Sequence, residues 1–152
     1  MKKFELTSEF VTFLEKKLFR IKALVSFGDV KEGGLGGLVE KEENLDQSGN
    51  AWVYGNAQVY GNARVSGDAQ VYGNARVQNC RDYSATSCFG SENRTTTFFR
   101  TKDGGISVRC GCFYGTLAEF REKVKERHGG RRLAKEYLML ADLMEFRLSK
   151  DE

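Results

Sequence analysis

Arginines set among threonines and phenylalanines can hold a phosphate and cover a base, and one stretch of this chain has that mixture. Between residues 81 and 115 stand five Lys/Arg against three Asp/Glu, with Thr95, Thr96, Thr97, Phe98 and Phe99 among them. A guanidinium offers parallel N–H groups to phosphate oxygens, hydroxyls fix orientation, and aromatic faces stack on a base. The candidate ligand-binding residues are therefore Arg94, Thr96, Phe98, Arg100, Lys102 and Arg109. The same run also fits a solvated edge strand whose cations discourage aggregation. Both readings stay open here.

Other chemistries find less support. Cys80, Cys88, Cys110 and Cys112 give the thiol count of a structural zinc site. Their spacing is poor, because paired zinc ligands prefer two to four intervening residues. Free thiols are expected, and no metal. The single histidine, His128, sits just before Gly129-Gly130 at the charged end of a predicted helix, where a surface cation is favourable. It is a weak candidate for a catalytic base. Gly33, Gly34, Gly36 and Gly37 lack the lysine-serine/threonine ending of a phosphate loop and the spacing of a dinucleotide fingerprint. No catalytic residue and no cofactor is assigned.

With 152 residues the chain is long enough for one domain with a real core. A net charge of +3 is too small to diagnose nucleic-acid binding, so nucleic acid is not an expected partner. No apolar run approaches the roughly 18 residues of a membrane span. Glu5 and Glu9 interrupt the N-terminus before any long apolar core, unlike a secretory leader, and a cytosolic location is expected.

The elements that must position these residues centre on residues 51–77. There the unit Ala-x-Val-x-Gly-Asn/Asp is given four times and begun a fifth, the signature of a β-solenoid. Val53, Val59, Val65, Val71 and Val77 are expected inside, with the preceding alanines where walls converge. Three sides make a coil, so residues eighteen apart should stack about 4.8 Å apart. That places Tyr54 beneath Tyr72, Val53 beneath Val71, and Gln58 beneath Arg76. Trp52, Tyr54, Tyr60 and Tyr72 should point outward, on walls of which at least one is covered.

Around the repeat, Phe10, Phe13, Leu14 and Leu18 recur at helical spacing and predict a capping helix over residues 7–18. Alternation predicts a strand from about residue 19 to 25. Residues 26–50 read as irregular opening coils and residues 78–93 as a polar loop. Residues 95–101 and 106–110 predict a hairpin around the turn 102–105. Thr116 and Glu119 form a capping box for a helix that Gly129-Gly130 stops, and a last helix runs over about 131–148. The segments are thus 1–25 capping helix and strand, 26–79 β-helix, 80–115 loop and hairpin, and 116–152 helical hairpin. The expected class is mainly β with α caps.

The unit V-Y-G-N-A-R resembles the hexapeptide repeat of left-handed parallel β-helix proteins. The larger order also resembles a group of phage and prophage proteins: an FRIKAL-like strand, FGDVK, a glycine-rich turn, EKEENL, the hexads, then FFRTKDGGISVRCGCF and a helical tail. The resemblance implies a short left-handed parallel β-helix, a homo-oligomer built through a flat wall, most often a trimer, and a phage or prophage origin. Many hexapeptide β-helix proteins are acyltransferases, but one histidine and few coils disfavour that activity here.

The function expected from the sequence is non-catalytic. A homo-oligomer would sequester a small anionic, nucleotide-type immune signal in pockets between subunits, a counter-defence sponge in the host cytosol. The rival is a protein-interaction module that binds a host or virion protein through Trp52 and the tyrosine wall.

Overall fold

In a computed structural model, residues 2–89, 94–111 and 113–149 are described, excepting the side chains of Cys88, Phe89 and Arg94. The hexads form short strands: β4 (Trp52–Val53), β5 (Gln58–Val59), β6 (Gln70–Val71) and β7 (Arg76–Val77). β4 pairs in parallel with β6, Val53 against Val71, and β5 with β7, Gln58 against Arg76. This is the eighteen-residue step expected from the repeat. The five repeat valines are fully buried, and Ala51, Ala57, Ala63, Ala69 and Ala75 are nearly so. Parallel ladders of this kind leave no water-facing polar backbone inside the coil and bury the small and branched side chains together.

The opening coil is longer. β3 (Leu35–Val39) pairs in parallel with β5, Val39 against Val59, and Leu45 bridges Val65, both twenty residues on. Because Val53 and Val71 are eighteen apart, the two extra residues lie in the corner between Leu45 and Val53. Gln47 in that corner accepts from the backbone N–H of Lys3 at 2.7 Å, so the added length grips the N-terminus. Just ahead of it, as the last residue of a 3-10 turn (Glu42–Asn44), the fully buried Asn44 donates to Ala63 O at 2.8 Å and accepts from Lys41 N at 2.9 Å.

Residues 7–18 are not helical. β1 (Phe4–Phe13) and β2 (Lys16–Ala23) form an antiparallel hairpin, and β2 pairs with β3 to give a five-stranded sheet, β1-β2-β3-β5-β7. The hairpin therefore extends a coil wall instead of lidding the open end. Phe, Val and Thr suit a pleated surface, and the free edge of β3 offers backbone partners that a helix could not use. The turn gave no warning, since Leu14 and Glu15 take positive φ of 51° and 64° where Asn-Gly would be usual. Within β2, Ile21 and Ala23 are buried as alternation requires, while Phe19 is half-buried.

A second sheet covers the end of the coils. It contains β8 (Tyr83–Phe89), β9 (Arg94–Arg100), β10 (Ile106–Cys110) and β11 (Phe113–Thr116), in the order β11-β10-β9-β8. The hairpin β9–β10 was expected; β8 lies where a polar loop was expected. Its small polar residues carry little hydrophobic alternation, and pairing with β9 supplies the order. One face of this sheet packs Phe99 on the coil core, and the other packs Phe98 and Val108 on the helices α1 (Leu117–His128) and α2 (Arg132–Leu148). The Thr116–Glu119 capping box opens α1, and Gly129, at φ 58°, closes it.

Two aromatic expectations change. Trp52 is 1% exposed, edge-on to Phe27 at 5.3 Å and Phe4 at 6.2 Å. Tyr60 is also buried, edge-on to Phe13 at 5.5 Å. These walls are covered within one chain, by the N-terminal hairpin and the opening coil, so neither ring is an outward surface.

Candidate functional site

Of the six residues singled out for ligand binding, the five whose side chains are described do not come together. Neighbours along β9 face opposite ways. Thr96 and Phe98 are fully buried toward the helices, and Thr96 Oγ1 donates to Cys110 Sγ at 3.2 Å. Arg100 is a clamp: Nε donates to Leu148 O at 2.5 Å, Nη2 to Ser149 O at 2.9 Å, and Nη1 pairs with Asp82 at 3.2 Å. It ties the end of α2 to the corner after the last coil. Arg109 lies on the coil side, its Cζ 5.1 Å from the Tyr72 ring and its Nε donating to Gln70. There Tyr72 stacks with Tyr54 and tilts against Tyr114, both at 4.9 Å. The side chain of Arg94 lies outside the described residues, as do those of Cys88 and Cys112. Among the described candidates, only Lys102 reaches an open cation-lined cleft.

That cleft, about 400 Å³, lies on the outer face of the five-stranded sheet. Its lining includes Phe13, Arg20, Asn56, Gln58, Asn74, Arg76 and Lys102, three cations with no carboxylate. Parallel stacking puts Gln58 and Arg76 side by side, and Arg76 Nε donates to Gln58 Oε1 at 3.2 Å. The Arg76 guanidinium lies 4.2 Å from the Phe13 ring centroid, a cation–π contact that holds it against the hairpin. Lys102 is set at the mouth by its backbone N–H, which donates to Asn74 O at 3.0 Å. Its ammonium makes no hydrogen bond or ion pair among the described residues.

Arg20 is committed to structure. It donates to Gly36 O at 3.0 Å, Gly55 O at 2.7 Å and Asn56 Oδ1 at 3.1 Å, and its Nε meets Glu9 at 3.3 Å. The consequence reaches its neighbours. Arg20 and Arg76 occupy the amide oxygens of Asn56 and Gln58, so what those amides have left to offer is N–H. Cations and spare donors together make a cleft that is complementary to an anion.

A larger cleft of about 810 Å³, between the β9–β10 turn and the helices, is differently balanced. Its one cation, Arg121, pairs with Asp142 at 2.8 Å and Glu145 at 2.7 Å, which holds the guanidinium firmly protonated. Glu119 is engaged in the capping box. No unmatched positive charge remains there. His128 is half-buried with its ring stacked on Tyr137 at 5.9 Å, and it lines neither cleft.

Sequence reasoning missed Arg76 and Arg20. Gln58 beneath Arg76 was readable from the eighteen-residue step, but the cleft exists only because the N-terminal segment is a hairpin that brings Phe13 and Arg20 alongside. No helix among the described residues is long and apolar enough to cross a membrane. The family described as YdcK Beta solenoid repeat matches residues 57–70 and 69–80, which cover the later regular coils and the three residues that follow them. No curated protein matches the chain. The repeat is thus shared with a β-solenoid family, while the cleft's hairpin wall and Lys102 lie outside the matched residues.

Proposed function

We propose that this chain is a non-catalytic, homo-oligomeric protein that sequesters a small anionic, nucleotide-type signalling molecule, acting as a phage or prophage counter-defence sponge in the host cytosol. In this reading the solenoid is a short left-handed parallel β-helix and the copies assemble as the resemblance implies, as a trimer. The observation that carries the ligand class is the cleft's lining: Arg76, Lys102 and the free amide N–H groups of Asn56 and Gln58, with no carboxylate among them. Its volume lies within the roughly 300–1,000 Å³ of small-molecule sites. Arg76 and Lys102 would pair phosphate oxygens, and the amides would orient the ligand. Burial of Trp52 and Tyr60 weakens the rival in which a tyrosine wall binds a protein.

A thermal-shift screen with inorganic phosphate, adenosine monophosphate and a cyclic dinucleotide tests the class. The expected result is stabilisation by at least one phosphate compound, reduced in Lys102→Gln, whose exposed side chain has no role in the fold. Stabilisation that is equal in wild type and variant, or absent throughout, contradicts the cleft as the site.

A further inference from the structure

The last helix carries a surface that the fold leaves uncovered. Opposite the buried Tyr137, Leu140, Ala141 and Met144, α2 exposes Met139 (71%), Leu143 (55%) and Phe146 (82%). Spacings of four and three residues put these side chains in one row along the helix. Together they expose on the order of 400 Å² of apolar surface, comparable to the largest patch on a typical monomer. It is about half the roughly 800 Å² that each partner buries in a standard interface. Charged residues flanking the row supply a rim.

The flanking charges indicate what covers it. Arg131, Arg132 and Lys135 outnumber Glu136 at the N-terminal end of α2, and Asp142 and Glu145 outnumber Arg147 in the other half. Asp142, though it accepts from Arg121, keeps a side chain 75% exposed. Laid antiparallel on a second copy, the basic end of one α2 meets the acidic half of the other, and the helix dipoles oppose. Lys135 and Asp142 project from the same flank, two turns apart, so each Lys135 meets the other copy's Asp142 across a two-fold axis near Met139. A parallel arrangement would place Arg132 on Arg132 and Glu136 on Glu136. We infer that α2 is a self-association surface, on which a second copy of this chain packs antiparallel with Met139 nearest the two-fold axis, and Leu143 and Phe146 to either side of it against the apolar stems of the other copy's Lys135 and Arg132. This contact is separate from the cleft and does not depend on its ligand.

Native mass spectrometry and sedimentation at micromolar concentration test the inference. Wild type should contain an even number of copies, six where two of the proposed trimers pair through α2, and Leu143→Arg should halve it while far-UV circular dichroism stays unchanged. Lys135→Glu should weaken association at least tenfold, and adding Asp142→Lys should restore it, a rescue that a purely apolar contact would not show. A monomeric wild type overturns the inference, whatever else binds that face. So does an oligomer that keeps its mass in Leu143→Arg, or an odd-numbered one that this substitution dissociates.

Discussion

Asn44 shows how much a single side chain holds at the start of the coils. Its amide is fully buried, and it serves Lys41 N, Ala63 O and, at 3.3 Å, Gly61 O. Asn44→Ala should leave buried backbone groups unpaired and cost about 2–3 kcal/mol, measured by urea unfolding. Gly73 is constrained differently: its φ is 64°, and a Cβ there would fall 2.0 Å from the Tyr114 hydroxyl oxygen. Gly73→Ala should therefore displace Tyr114 from the Tyr54–Tyr72 stack and destabilise by about 1–2 kcal/mol. Measured against Tyr114→Ala alone, Gly73→Ala should cost only the positive φ, because the steric clash is gone.

Glu40 gives the coils a pH dependence. Its carboxylate accepts from Gly61 N at 2.9 Å and from Lys16 at 3.3 Å, and chiefly the backbone N–H holds its pKa below the ordinary 4.5. A lowered carboxyl pKa stabilises the fold fully above that ordinary value. The contribution disappears as pH falls through the folded value. Glu40→Gln should therefore be less stable than wild type near pH 6, by about 1 kcal/mol, with the gap closing as the pH is taken down to 3. A gap that stays constant would remove this role.

At the scale of elements, the turn joining β1 to β2 is the strained one. Leu14 and Glu15 both occupy a backbone region that favours asparagine and glycine, in a two-residue loop between the paired Phe13 and Lys16. Replacing Leu14-Glu15 by Asn-Gly should stabilise the chain by about 1 kcal/mol in thermal melts, since neither side chain is buried. The same turn explains why the hairpin was hard to read. Helical spacing of Phe10, Phe13, Leu14 and Leu18 competed with strand-forming Val11 and Thr12, and no turn residue settled the matter. Legibility elsewhere followed the strength of local signals. Val53 over Val71 and the Thr116–Glu119 box follow from exact spacing and residue type. β8 has neither, because its order comes from β9. The cleft was hidden for the same reason: Arg20, Arg76 and Lys102 are far apart in the chain, and the N-terminal hairpin and the β9–β10 turn bring them together.

Across the whole molecule, three parts divide the work. The coils form a rigid core whose valines and alanines are accounted for by packing. The second sheet, clamped by Arg100 to Asp82 and to the end of α2, seals the last coil and carries the helices. The N-terminal hairpin continues a coil wall and, with Lys102 from the sealing sheet, encloses a cationic surface of small-molecule size. The cleft is tested by isothermal titration of wild type, Lys102→Gln and Arg76→Gln with a cyclic dinucleotide and adenosine monophosphate, followed by chromatography of the recovered nucleotide. Wild type should bind, each variant should lose roughly tenfold to a hundredfold in affinity, and the nucleotide should return chemically unchanged. Equal affinity in all three proteins, or nucleotide converted to another compound, would contradict the proposed function.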